Sequence, residues 1–66
     1  MIIEQNLFTP EQVAGFLQVH VLTVYSYIRM GKMDAVRLGR RYRISAQDLE
    51  NFVRMNRTRI GPTGLK

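Results

Sequence analysis

Cysteine is absent from this chain of 66 residues, tryptophan is absent too, and His20 is the only histidine. Without cysteine the chain cannot form a disulfide, and one imidazole with no thiolate cannot supply the four ligands of a structural zinc site. A domain of this size must therefore be held together by packing, helix caps and turns. The lack of cysteine is compatible with a reducing compartment, and we expect a cytoplasmic location.

Long apolar runs are also missing, since none exceeds three residues. A membrane-spanning helix needs about 20 apolar residues. Residues 1–6 lack the charged start and apolar block of a secretion signal. We therefore expect no membrane partner.

Groups for catalysis do not converge either. His20 stands alone, and three of the acids (Glu11, Asp48 and Glu50) fall in the first turns of predicted helices, where the helix dipole favours a negative charge. No glycine-rich phosphate loop is present. We predict no catalytic residues, no metal site, no cofactor and no small-molecule ligand.

Acidic residues are few: ten lysines and arginines against five aspartates and glutamates give a net charge of +5. The excess lies between residues 29 and 43, which hold one acid, Asp34, and six basic residues: Arg29, Lys32, Arg37, Arg40, Arg41 and Arg43. Such a concentration predicts attraction to a polyanion, either nucleic acid or an anionic membrane surface. Charge alone does not choose between these two.

Capping signals predict three short helices. Thr9, Pro10 and Gln12 form the start of a helix over about 10–17, with a capping box. A second helix is expected over 21–30, ended by Gly31, although His20 is not a preferred cap. A third begins after Ser45 and carries an apolar stripe of Leu49, Phe52 and Val53.

Helical periodicity divides the side chains of these helices into buried and exposed sets. In the first helix the predicted buried side holds Val13, Ala14, Phe16 and Leu17. In helix 21–30 the predicted core side holds Val21, Val24, Tyr27 and Ile28. The opposite side holds Leu22, Tyr25, Ser26 and Arg29. This second side is either an ordinary solvent face or the face that a helix-turn-helix presents to the major groove.

Apolar and basic residues alternate over 35–38 and 42–44, which predicts a β-hairpin, here called the wing (residues 35–44). A two-residue tip would place Arg41 opposite Leu38. A three-residue tip, residues 39–41, pairs Leu38 with Tyr42 and Val36 with Ile44 in the core, and puts Arg37 opposite Arg43 on the solvent side. We favour the three-residue tip.

Arginine in the wing suits phosphate contact, because a guanidinium group binds two oxygens at once. The alternative interpretation is a solvent-exposed charged face that protects an edge strand from aggregation. Four arginines with no acid favour the phosphate interpretation. Residues 1–6 are expected to be a flexible lead-in, residues 7–56 the folded domain, and residues 57–66 a disordered basic tail.

In this order the elements resemble the excisionase-type DNA-binding domains, which are small winged helix-turn-helix relatives of the MerR regulators. Residues 8–14, 24–32, 36–44 and 45–52 carry the resemblance. It implies a mostly helical fold with a small β-hairpin, in which helix 21–30 is the recognition helix and the wing lies along the DNA backbone or in the minor groove. The residues expected at double-stranded DNA are Val21, Leu22, Tyr25, Ser26, Arg29, Arg37, Arg40, Arg41 and Arg43.

The resemblance implies a non-catalytic excisionase-like accessory factor for recombination, or a small transcriptional regulator of a mobile element. Its partners would be DNA, a recombinase or further copies on adjacent sites. The chain departs from the family at His20-Val21-Leu22, where a small polar cap and polar residues are usual. Apolar contact to thymine methyl groups is then available in place of arginine readout of guanine. The competing hypothesis is a protein-interaction module that docks on a recombinase or polymerase.

Overall fold

The computed structural model describes residues 7–57. Within them the chain forms, in order, the strand β1 (Leu7–Phe8), the helices α1 (Pro10–Leu17) and α2 (Val21–Arg29), the strands β2 (Val36–Leu38) and β3 (Arg41–Ser45), and the helix α3 (Ala46–Met55). Three helices with a small antiparallel sheet form a winged helix-turn-helix, which confirms the predicted fold class. The expectations for residues 1–6 and 58–66 lie outside the described residues.

The helix starts follow the predicted local chemistry. Thr9 accepts a hydrogen bond from the backbone N–H of Gln12 at 3.0 Å, and the Gln12 side chain accepts one from the N–H of Thr9 at 2.9 Å. Ser45 caps α3 in the same way by accepting from Asp48. Because these interactions join residues three apart, the sequence is sufficient to place both helix starts.

The chain reverses direction after α1 and again after α2, and the same hydrogen-bond pattern is found at both helix ends. After α2, Lys32 N donates to the Tyr27 carbonyl at 2.8 Å and Gly31 N donates to Ile28 at 3.1 Å, with Gly31 at φ +76°. This is the Schellman arrangement, which requires a left-handed residue after the helix. After α1 the same bonds run from Val19 to Ala14 and from Gln18 to Gly15, but here a glutamine holds the left-handed position at φ +60°.

Replacing Gln18 with glycine is therefore expected to stabilise the fold. Left-handed backbone costs a side-chain-bearing residue about 1–2 kcal/mol, and the entropy lost by a fixed glycine offsets about 0.5–1 kcal/mol of the gain. We expect the free energy of unfolding to rise by roughly 0.5–1 kcal/mol, measured by urea titration. Gln47→Gly, inside α3, is the control and should lower the same quantity. A decrease for Gln18→Gly would contradict the role of the turn.

The core lies between the three helices and one face of the sheet. Its buried members are Val13, Ala14, Val24, Met33, Ile44 and Phe52. Val21, Tyr27 and Ile28 pack against them, as predicted for the inner side of α2. The prediction was wrong for Phe16, which is exposed, and partly wrong for Val53, which stands at the surface of α3.

The sheet has the order β1–β3–β2, so β3 is its central strand. The strand β1 was not predicted; it pairs Leu7 with Ser45 and Phe8 with Ile44. Two residues are too few for a periodic pattern to reveal a strand. Ile44, which pairs with Phe8 of β1, is fully buried.

The predicted hairpin register was wrong. The structure pairs Val36 with Arg43, Arg37 with Tyr42, and Leu38 with Arg41, which leaves Gly39 and Arg40 as a two-residue tip. Gly39 has φ +65° and Arg40 is not in the left-handed region, as in a type II′ turn with glycine at its first central position. Arg37 therefore does not face Arg43, and Arg41 begins β3 instead of belonging to the tip.

The new register also moves two aliphatic residues out of the core. Val36 and Leu38 are 42% and 52% exposed, and they share the outer face of the hairpin with Arg43 and Arg41. Ala35 packs against the core, and Met33 is 2% exposed. The chain leaving α2 thus supplies the apolar groups that the prediction had assigned to β2.

Candidate nucleic-acid interface

The helix α2 is anchored at its start by His20. Its Nδ1 accepts a hydrogen bond from the N–H of Leu22 at 3.1 Å, so this histidine acts as the helix cap despite being an uncommon choice. At the other end Arg29 lies in the last turn, where the helix dipole favours a positive charge. His20 and Arg29 therefore each stabilise one end of α2.

One side of α2 is open to solvent, as predicted. Leu22 is 64% exposed and Arg29 is exposed, while Tyr25 and Ser26 between them are half-buried. Val21, also among the predicted contact residues, is half-buried and packs against the core. The open side of α2 therefore presents Leu22, Ser26 and Arg29 with the edge of Tyr25.

An aromatic contact joins α2 to the hairpin. The rings of Tyr25 and Tyr42 lie with centroids 6.2 Å apart and planes tilted by 60°. Tilted rings at this separation attract each other through their quadrupoles, by about 0.5–1.5 kcal/mol beyond simple burial. The contact fixes the open side of α2 relative to β3.

The arginines of the wing have no acidic partner within residues 7–57. The ion pair found there joins Arg54 and Glu50 on α3 at 3.2 Å. Arg37 Nε donates to the Gly39 carbonyl at 3.0 Å, and Arg43 Nη1 donates to the Tyr42 carbonyl at 2.8 Å. These bonds orient two of the guanidinium groups without neutralising their charge.

A polar cavity of about 300 Å³ lies where the wing, α2 and the start of α1 meet. It brings together four of the predicted contact residues (Tyr25, Arg40, Arg41 and Arg43) and four that sequence reasoning had not assigned to the site (Thr9, Pro10, Glu11 and Tyr42). Thr9, Pro10 and Glu11 gave no signal in the sequence, because only tertiary packing places the α1 cap beside the wing. Tyr42 lies in the wing itself, and the predicted register had assigned it to the core. The predicted contact residues that do not line this cavity are Val21, Leu22, Ser26, Arg29 and Arg37.

A larger, apolar groove of about 560 Å³ lies between α1 and α3 and shares no residue with the polar cavity. Phe8, Phe16, Leu49 and Val53 are among its lining residues. This groove explains why Phe16 is exposed: it stands on the wall of a surface depression and not in the core. No chemistry-bearing cluster lines it.

No group of three histidine, aspartate or glutamate side chains among residues 7–57 could hold a metal ion. None of the described helices is long and apolar enough to cross a membrane.

Comparison with known proteins agrees with this geometry. A family model described as a helix-turn-helix domain matches residues 7–57. The chain belongs to the helix-turn-helix domain family. Within this family the chain is of the excisionase type, as the order of its motifs indicated.

This helix-turn-helix domain is similar to three curated proteins. It is 43% identical over 49 residues to "Uncharacterized protein YvgK" of Bacillus subtilis (strain 168), a match that spans 74% of the chain and 16% of that protein. It is 34% identical over 48 residues to "Putative DNA-binding protein MT0521" and "Putative DNA-binding protein Rv0500A" of two Mycobacterium tuberculosis strains, CDC 1551 / Oshkosh and ATCC 25618 / H37Rv. These matches span 73% of the chain and 62% of each relative. No solved structure matches.

Proposed function

We propose that this helix-turn-helix domain binds double-stranded DNA without catalysing a reaction on it. The helix α2 enters the major groove, and the wing contacts the backbone or the minor groove. The observation that carries the proposal is the position of Arg40, Arg41 and Arg43. These guanidinium groups, which have no acidic partner within residues 7–57, line the same cavity as Tyr25 of α2. Family membership and the names of the mycobacterial relatives support it.

The dimensions of α2 suit this role. Nine residues form a helix about 13 Å long, and the major groove is about 12 Å wide. Leu22, Ser26 and Arg29 lie at successive turns of the open side and can reach neighbouring base pairs. Leu22 offers apolar contact to a thymine methyl group, and Ser26 offers a hydroxyl that either donates or accepts.

We propose two alternative biological roles for this domain. A small wing-bearing domain serves equally as an excisionase-like recombination accessory factor or as a small transcriptional regulator. A recombinase, or further copies on adjacent sites, would be its partners, and the cytoplasm its location. The match to a small part of YvgK shows that a similar domain also occurs within a longer protein.

The experiment that tests DNA binding is selection of bound duplexes from a random pool, followed by gel-shift titration of the selected duplex at two salt concentrations. We expect an enriched site and an affinity that falls steeply with salt. No retention of any duplex at low salt would overturn the proposal. Footprints that lengthen in steps with protein concentration would indicate copies on adjacent sites.

The second candidate function is a protein-interaction module without DNA binding of its own. The apolar groove between α1 and α3, with Phe16 exposed on its wall, favours it. The two functions use separate surfaces. Failure to bind duplex at low salt, together with capture of a purified recombinase, would favour the protein partner.

Base contact by α2 can be tested by substituting residues on its open side. Leu22→Ala and Ser26→Ala should each reduce the preference for the selected duplex over a random duplex by roughly five- to tenfold, because a base contact discriminates by about 1–3 kcal/mol. Affinity for random duplex should change little, since phosphate contacts remain. Competition titration measures both quantities. An equal loss on selected and random duplexes would exclude base readout at these positions.

A further inference from the structure

Glu11 stands in the polar cavity as the one acid among its lining residues, beside three arginines. We propose that this cavity holds a single DNA backbone phosphate, and that repulsion by the Glu11 carboxylate weakens that contact. The inference rests on the proposed DNA binding and adds the start of α1 to the contact surface. It assigns Thr9, Glu11 and Tyr42 to the interface.

The cavity has the chemistry of an anion site. Arg40, Arg41 and Arg43 line it with guanidinium groups, and Tyr25 and Tyr42 are the aromatic residues beside them. A guanidinium group can bind two phosphate oxygens at once, and a phenol hydroxyl can donate to a third. At about 300 Å³ the cavity is at the lower limit for ligand pockets. It therefore suits one group of a polymer that continues outside it.

The positive charge comes from the wing and not from the N-terminus of α1. Pro10 has no N–H, Gln12 N donates to Thr9 Oγ1, and Val13 N donates to the Thr9 carbonyl at 3.0 Å. Among residues 7–57, only the Glu11 N–H of the first turn lacks such a bond. The Thr9 hydroxyl, which accepts from Gln12, keeps its own proton for donation to a phosphate oxygen.

Glu11 opposes this arrangement. Its side chain is exposed, and it forms no ion pair within residues 7–57. A carboxylate about 6 Å from a phosphate in a water-like medium reduces binding roughly threefold through like-charge repulsion. The first helical turn is also where a carboxylate stabilises the helix. Glu11 thus stabilises α1 in the free protein and limits the affinity of the complex.

The test begins with two charge-matched variants, Glu11→Gln and Glu50→Gln, titrated with the selected duplex. Each removes one negative charge, but Glu50 lies on α3 and lines the apolar groove. We expect Glu11→Gln to bind roughly threefold more tightly than the wild type, and Glu50→Gln to bind about as the wild type does. Equal gains for both variants would show only an effect of net charge and would overturn the proposal.

The decisive measurement replaces single phosphates of the duplex, one at a time, by uncharged methylphosphonates. At one position we expect the neutral group to weaken wild-type binding and to abolish the gain of Glu11→Gln. An undiminished gain at every position would overturn the cavity as a phosphate site. Failure of the wild-type chain to bind any duplex is a separate result that overturns the proposed function itself.

A second variant keeps the test valid if Glu11→Gln proves unstable in thermal melting. Tyr42→Phe preserves the ring that packs on Tyr25 and removes only the hydroxyl. It should weaken binding a few-fold, and the loss should vanish at the same methylphosphonate position. A loss that is uniform over all positions would contradict the placement of Tyr42 at the phosphate.

Discussion

Simultaneous replacement of Arg40 and Arg41 by alanine is expected to lower the affinity for duplex DNA by roughly ten- to hundredfold at low salt. Charge-assisted hydrogen bonds contribute about 1.5–3 kcal/mol each before side-chain ordering is subtracted. Each lost phosphate contact should also flatten the dependence of log affinity on log salt by about 0.9, or about 1.8 for the pair. Gel-shift titration at four salt concentrations gives both quantities.

The matched control instead removes Arg54 of α3 and Arg57, which follows that helix. Arg54→Ala with Arg57→Ala lowers the net charge by the same two units, but both residues lie outside the wing and the polar cavity. We expect this variant to retain most of the wild-type affinity and slope. If the two double variants lost affinity equally, total charge and not the wing would account for binding. If the wing variant kept both affinity and slope, the wing would not contact phosphate.

The loss should be similar on selected and random duplexes, because phosphate contacts carry no sequence information. That outcome separates the wing from α2, whose variants should change preference among duplexes.

The observed hairpin register also distinguishes the arginines within the wing. Arg41 shares the outer hairpin face with Leu38, while Arg37 lies opposite Tyr42 on the other face. Arg37→Ala alone should have a smaller effect than the loss of any one of the three arginines that line the polar cavity, because Arg37 does not line it.

Helix starts were predictable from the sequence because their chemistry is local. The capping box of Thr9 and Gln12 and the Ser45 cap each join residues three apart. The concentration of arginine in the wing was equally visible, since it needs only counting. The open side of α2 followed from the 100° step of a helix.

The hairpin register could not be predicted, because alternation alone does not say which face of a strand is buried. Val36 and Leu38 look like core residues until Met33 and Ala35 are found to fill that space. The polar cavity was hidden for a related reason. Thr9 and Glu11 are separated from Arg41 by about thirty residues of sequence, and only the packing of α1 and the sheet brings them together.

The second large effect is expected at Met33, which is 2% exposed although it lies in the segment between α2 and β2. The hydrogen bonds from Lys32 N and Met33 N to the Tyr27 carbonyl turn the chain back over the end of α2. This reversal delivers the thioether into the cluster that contains Val24 and Ile44. Met33 is thus the residue by which the segment after the recognition helix is fastened to the core.

Replacing Met33 with alanine should cost about 2–5 kcal/mol, the usual range for truncating a buried methionine. A domain of this size has only about 3–10 kcal/mol of stability, so much of it would be lost. Met30→Ala is the matched control: the same side chain, three residues earlier and 60% exposed, should change the free energy of unfolding by less than about 0.5 kcal/mol. Urea titration followed by circular dichroism measures both variants. Equal costs at the two positions would contradict the chain reversal after α2, and with it the position of the wing relative to the recognition helix.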